Sequence, residues 1–138
     1  MIRKAYDNGV RILSGSESGF ALTPYGHWHA REMQVFVEDL GLTPVEAIET
    51  ATKNGAWAMQ LDDQLGTLEV GKLADLLIID GDPIADISIL NDKTKINTII
   101  SRGEQVDLDS LWPSHEPIAG WKVGNWANEI LTWDKAYE

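Results

Sequence analysis

Cysteine is absent from this chain, so neither a disulfide nor a thiolate metal site can form. No stretch approaches the roughly 18 consecutive apolar residues of a membrane-spanning helix. The opening Met1-Ile2-Arg3-Lys4-Ala5-Tyr6-Asp7 has no apolar core of signal-peptide length, and a cytoplasmic setting is expected. Positive charge is scarce. Eleven Lys and Arg face 22 Asp and Glu, giving a net charge of −11 and a pI near 4.5. Nucleic acids and anionic membranes are recognised through Lys/Arg patches, so neither is expected as a partner. Surplus carboxylates are compatible with a metal site, although most such groups are solvated surface. There is no Gly-rich phosphate loop and no Gly-x-Ser-x-Gly elbow, which removes kinase and serine-hydrolase readings. Internal repeats and low-complexity segments are also missing.

What remains is an ordinary globular composition, 43% hydrophobic and 24% charged, over 138 residues. That length suffices for one domain but not for an eight-stranded α/β barrel, which takes about 250 residues. Residues 2–8 read as the end of a helix that Gly9 stops. Val10-Arg11-Ile12-Leu13 has the β-branched, apolar character of a strand. The polar run Ser14-Gly15-Ser16-Glu17-Ser18-Gly19 ends it. Met33, Phe36, Val37 and Leu40 fall at i, i+3, i+4 and i+7 and predict a helix ending at Gly41. Thr43-Pro44-Val45-Glu46 opens another with a capping box and proline in the first turn. Its narrow face is expected to be Val45, Ile48, Ala51, Thr52, Gly55 and Ala56.

From Gly66 the pattern turns to strands. Thr67–Val70 and Leu76–Ile79 are expected as strands, the second covered on both faces because four apolar residues run together. Ile96–Ser101 is expected to pair with Gln105–Asp107 across a turn at Arg102-Gly103-Glu104, with Gly103 supplying positive φ. Between them, residues 84–95 read as a loop with a short helical turn. Trp112, Trp121, Trp126 and Trp133, four of the six tryptophans, crowd the last segment. That segment reads either as a partner-binding or membrane-surface helix, or as an arm packed on its own core or another subunit. Membrane-surface helices are usually basic and this one is not, which favours packing.

The candidate chemistry lies in Gly15-Ser16-Glu17-Ser18-Gly19, with Tyr25, His27 and His29 close behind. Residues just past the C-terminal end of a barrel strand face the active site. A carboxylate there can ligate a metal or accept a proton from metal-bound water, although the bare pattern also fits an ordinary turn. His27-Trp28-His29 has the His-x-His spacing that lets two imidazoles on a strand meet one ion. Here the pair stands in a loop before a helix, so capping or substrate contact are alternatives. His115, between Pro113 and Pro117, reads as a surface-loop residue.

Several strings occur in a recognisable order. They are Gly9-Val10-Arg11-Ile12, Gly15–Gly19, His29-Ala30-Arg31-Glu32-Met33, Leu42–Ile48, Ala51-Thr52-Lys53-Asn54, and Leu65-Gly66 through Asp80-Gly81-Asp82-Pro83. Together they closely resemble the C-terminal third of the amidohydrolase superfamily. The likeness is strongest to the branch of imidazolonepropionase-like and prolidase-like enzymes and phenylurea and molinate hydrolases. It covers roughly residues 5–107. It implies an α/β fold: the C-terminal fragment of a (β/α)8 barrel in residues 1–62, part of a small β-sandwich domain in 63–108, and a Trp-rich arm in 109–138.

In that family the barrel holds one or two metal ions, usually zinc. The ligands are mostly histidines on the first, fifth and sixth strands, often with a carboxylated lysine, and an aspartate ends the eighth. Glu17 falls at the aspartate's position with one extra methylene, about 1.5 Å more reach. It is the expected acid/base residue and metal ligand, with Tyr25, His27 and His29 lining the substrate pocket. The first seven strands would lie outside this sequence, and Glu17, His27 and His29 alone would hold zinc weakly, since a catalytic zinc takes three fixed protein ligands. Two functions follow from the likeness. One is a metal-dependent hydrolase of C–N bonds in small amide, urea, carbamate or cyclic amide substrates. The other is a non-catalytic subunit that forms a homo-oligomer or docks onto a missing barrel fragment.

Overall fold

The computed structural model describes residues 1–18 and 28–108. Tyr25, His27 and the tryptophan-rich segment lie outside the described residues. Helix α1 (Ile2–Asp7) ends at Gly9, whose φ of 82° is the left-handed turn that glycine accepts without strain. Helix α2 (Trp28–Glu38) carries the expected stripe. Phe36 is buried with Leu42 and Ala47, and Met33, Val37 and Leu40 pack on that cluster together with Tyr6 and Ile12. Gly41, at φ 68°, turns the chain so that the Leu42 N–H donates to the Phe36 carbonyl at 3.1 Å. Arg3 of α1 donates to the carbonyls of Leu40 and Gly41 at 3.3 and 2.8 Å, tying the first helix to the end of the second.

Helix α3 (Pro44–Ala51) opens as its sequence dictates. The Thr43 side chain accepts from the Glu46 N–H, and Glu46 accepts in return from the Thr43 N–H at 2.8 Å. The helix does not run on. Thr52, with φ −119° and ψ −87°, breaks it before α4 (Lys53–Ala58). The break re-aims the buried face. Ala47, Thr50 and Ala56 are the buried positions, whereas Val45, Ala51 and Thr52 face solvent. The narrow face expected from a continuous helix is therefore corrected.

Beyond α4 a three-stranded antiparallel sheet forms in the order β1 (Leu76–Ile79), β2 (Ile96–Ser101), β3 (Glu104–Gln105). Arg102 and Gly103 both have positive φ, 51° and 85°, the pair that a tight two-residue hairpin turn requires. Strand β3 ends at Gln105, one further bond runs from the Val106 N–H to the Ile99 carbonyl at 2.8 Å, and Asp107 lies beyond the strand. Residues 84–95 hold two short 3-10 turns, Ile87–Asn91 and Lys93–Lys95. The first packs against α2, where Asn91 donates to Gln34 at 3.1 Å and joins the sheet layer to the helices.

Three expected strand features are corrected. Val10–Leu13 belongs to no strand or sheet, and Thr67–Val70 is likewise irregular, with Leu68 80% exposed. A strand is defined by a neighbour to pair with, which these segments lack among the described residues. Strand β1 is covered on neither face at its centre, since Leu77 and Ile78 are 45% and 46% exposed.

The capping geometry carries a pH dependence. The Thr43 N–H, then the Tyr6 hydroxyl and the Thr43 side chain, hold the Glu46 carboxyl below the usual carboxylate range. Hydrogen bonds from Ser88 and Thr94 do the same for Asp86 and Asp92, which cap the two 3-10 turns. A carboxyl with a lowered folded pKa contributes stability that is present above its unfolded value and lost as pH falls through the folded one. Stability is therefore expected to drop as pH is taken below the unfolded carboxylate pKa values of about 4. Thr43→Ala should cost about 1 kcal/mol at neutral pH and make that acid limb shallower without abolishing it, because the Thr43 N–H, Asp86 and Asp92 keep their share. Urea midpoints measured from pH 7 to pH 3 give both quantities, and an unchanged acid limb in the variant would remove the cap from this role.

Candidate functional site

The segment leading into the site is held by helices. The Ile12 carbonyl accepts from the Asn54 side chain at 2.9 Å, and the Ser14 N–H donates to the Thr50 carbonyl at 3.2 Å. Arg11 stacks on Trp57, its guanidinium 4.2 Å from the ring centre. The loop that follows is gripped from α2. One oxygen of Glu32, Oε2, accepts from the Ser14 hydroxyl at 2.6 Å and from the Gly15 N–H at 2.7 Å. One turn earlier on α2, His29 Nδ1 lies 2.8 Å from the Ser16 hydroxyl, which also bonds Ser18 at 2.8 Å. Positions three apart share a helix face, so His29 and Glu32 reach the same loop together.

Glu17 stands within this clamped run at φ 48°. The left-handed region costs an ordinary residue roughly 1–2 kcal/mol. Such strain persists where the surroundings over-determine it, and it clusters at functional sites. Glu17 is exposed at the surface of the loop. Of the sequence-predicted residues, Glu17 and His29 are thus brought to one loop through Ser16. His29 is corrected in one respect, because it lies inside the first turn of α2 and not in the loop before it. Tyr25 and His27 fall outside the described residues.

Sequence reasoning missed Glu32, Thr50 and Asn54. Glu32 had a visible signal, three residues after His29 and so on the same face. Thr50 acts through its backbone carbonyl, and Asn54 spans 42 positions to reach Ile12; neither leaves a local pattern. Two clefts, of about 220 and 480 Å³, share Arg11 and Lys53 in their walls, and neither is lined by Glu17 or His29. Among the described residues no three His, Asp or Glu side chains converge where a metal ion could be held. The residues described do not by themselves fit a catalytic zinc, and Glu17 is at most one of its ligands. Among them, too, no helix is long and apolar enough to cross a membrane.

A profile of the amidohydrolase family matches residues 1–106. The chain is 36% identical to the imidazolonepropionase of Brevibacillus brevis over 101 residues, covering 73% of this chain and 24% of that one. Its fold is similar to a crystal structure of a Xaa-Pro dipeptidase with methionine bound in the active site, at TM-score 0.68 and 36% identity over 76% of this chain and 24% of that one. Phenylurea hydrolase B is similar at TM-score 0.67 and 31% identity, over 76% of this chain and 26% of that one. The chain spans about a quarter of the length of these relatives.

Proposed function

The chain belongs to the amidohydrolase family, and from that premise we propose that it supplies the closing part of a hydrolase acting on carbon–nitrogen bonds. Residues 1–62 take the place of the end of a (β/α)8 barrel. Residues 63–108 belong to a small β-sandwich. The substrates are small amides, ureas, carbamates or cyclic amides, and the setting is cytoplasmic. Zinc enters this proposal only as an ion whose remaining ligands lie beyond the described residues.

Glu17 is the acid/base residue. Its carboxylate accepts a proton from the attacking water as the new C–O bond forms. It returns that proton to the departing nitrogen as the C–N bond breaks, so the group ends as it began. Substrate binding is assigned to Tyr25, His27 and His29. The observation that carries this reading is the left-handed backbone of Glu17, which directly follows residues that α2 grips.

A second reading rests on the exposed apolar side chains. Val10, Leu13, Leu77 and Ile78 are all large and open to solvent. Exposed apolar side chains of this kind are what a subunit that forms a homo-oligomer or docks onto a barrel fragment would cover on assembly. One experiment separates the two. The purified chain is given amide, urea, carbamate and cyclic amide substrates with and without added zinc, and its mass is measured by sedimentation. Turnover by the chain, alone or joined to the barrel part that carries the remaining zinc ligands, is expected under the first reading. Assembly without turnover transfers the case to the second, and an inactive, monodisperse monomer defeats both.

A further inference from the structure

We infer that Glu32 is the positioning residue for Glu17, a role that rests on the hydrolase reading above. The loop carries Glu17 in a conformation that costs an ordinary residue free energy, so something outside the loop must fix it. Glu32 is placed to do so. A single carboxylate oxygen receives both the Ser14 hydroxyl and the Gly15 N–H, at 2.6 and 2.7 Å. Hydrogen bonds to an ionised acceptor are shorter and roughly twice as strong as neutral ones. Their length here is that of charge-assisted bonds.

The position along the chain is as telling as the bond lengths. Glu32 fixes residues 14 and 15, and His29, on the same face of α2, meets residue 16 at 2.8 Å. Residue 17 follows with its φ set by anchors on its approach. The grip comes from a helix, which holds a side chain more sharply than a loop can. Phe36, one turn further along, buries that helix in the core. Glu32 therefore links the rigid layer to the exposed carboxylate without touching the reacting atoms.

The test uses the chain itself, observed by NMR and by turnover. In Glu32→Gln the amide oxygen can still accept both bonds, but without charge, so the Gly15 amide proton should move upfield while the fold is kept. In Glu32→Ala the Gly15 amide should lose its protection from exchange, and the φ-dependent coupling of Glu17 should become averaged. On an amide substrate, Glu32→Ala should lower kcat about a hundredfold with KM changed by less than about threefold. Glu32→Gln should restore most of that loss. Should Glu32→Ala fail to fold, the Gly15 shift in Glu32→Gln decides alone. An unmoved Gly15 amide and Glu17 coupling in the folded variants overturn the inference, as does an unchanged kcat once the amide has moved. Absence of turnover in the unmodified chain defeats the hydrolase reading instead, and the NMR result still decides whether Glu32 sets the backbone of Glu17.

Discussion

Glu17→Gln is expected to lower kcat by about a hundredfold to ten-thousandfold, the range a positioned acid/base group contributes. The amide keeps the shape of the carboxylate and can neither take a proton from water nor return one. KM should change little, because the interaction removed is made in the transition state. Stability should hold to within about 0.5 kcal/mol, as for most exposed positions. Glu17→Gly sharpens the test. Glycine accepts φ 48° without the roughly 1–2 kcal/mol that a side chain costs there. Its greater freedom in the unfolded chain offsets about 0.5–1 kcal/mol of that gain. The glycine variant should thus be slightly more stable than the parent and inactive, the trade-off expected where strain serves function. Turnover at the parent rate in Glu17→Gln would place the chemistry elsewhere, and a clearly destabilised Glu17→Gly would contradict the left-handed backbone.

How much of this was legible in the sequence depends on where the determining contacts lie. The capping box at Thr43 and Glu46, the glycine stops at Gly9 and Gly41, and the Arg102-Gly103 turn are decided within four or five residues. The first two are present as read, and the turn differs only in that Glu104, expected within it, already pairs in β3. The apolar stripe of α2 was equally plain, because one helix face decides it. The failures share a different cause. Val10–Leu13 and Thr67–Val70 have strand composition, but a strand is a property of two segments, and composition does not supply the second. The break at Thr52 was invisible for a related reason. Ala51, Thr52 and Lys53 are all acceptable in a helix, and the break shows only once Ala56 must be buried beside Gly66. At the site, Glu17 was visible as a carboxylate in a glycine-flanked turn. Its strain and its clamp were not, because both depend on α2 and α3 folding back over the loop.

Gly66→Ala is the largest stability loss expected outside the hydrophobic core, and its cause joins the fold to the site. Gly66 adopts φ 91°, where alanine is strained. A Cβ there would lie 2.5 Å from the Cβ of Ala56, 3.2 Å from the Thr52 carbonyl oxygen and 3.3 Å from the Lys53 Cα. Two of these three obstacles are backbone, so no side-chain rotation relieves them. The φ penalty of roughly 1–2 kcal/mol and an overpacking cost of about 1–3 kcal/mol together approach 2–5 kcal/mol. That is a large share of the 5–15 kcal/mol typical of a domain, and thermal melting should fall by more than about 10 °C. Ala56→Gly in the same chain removes the 2.5 Å contact and leaves the backbone strain. The double variant should therefore be less destabilised than the sum of its parts, a coupling that a mutant cycle reads directly. A Gly66→Ala melt within a few degrees of the parent would refute the close approach. The consequence reaches further than stability. The chain at Gly66 presses on the start of α4, and α4 carries the Asn54 that holds the Ile12 carbonyl at 2.9 Å. Displacing α4 to admit one methyl group would shift the segment that delivers Glu17. The glycine that opens the Gly66–Pro83 motif is therefore a spacer for the site as much as a turn in the fold.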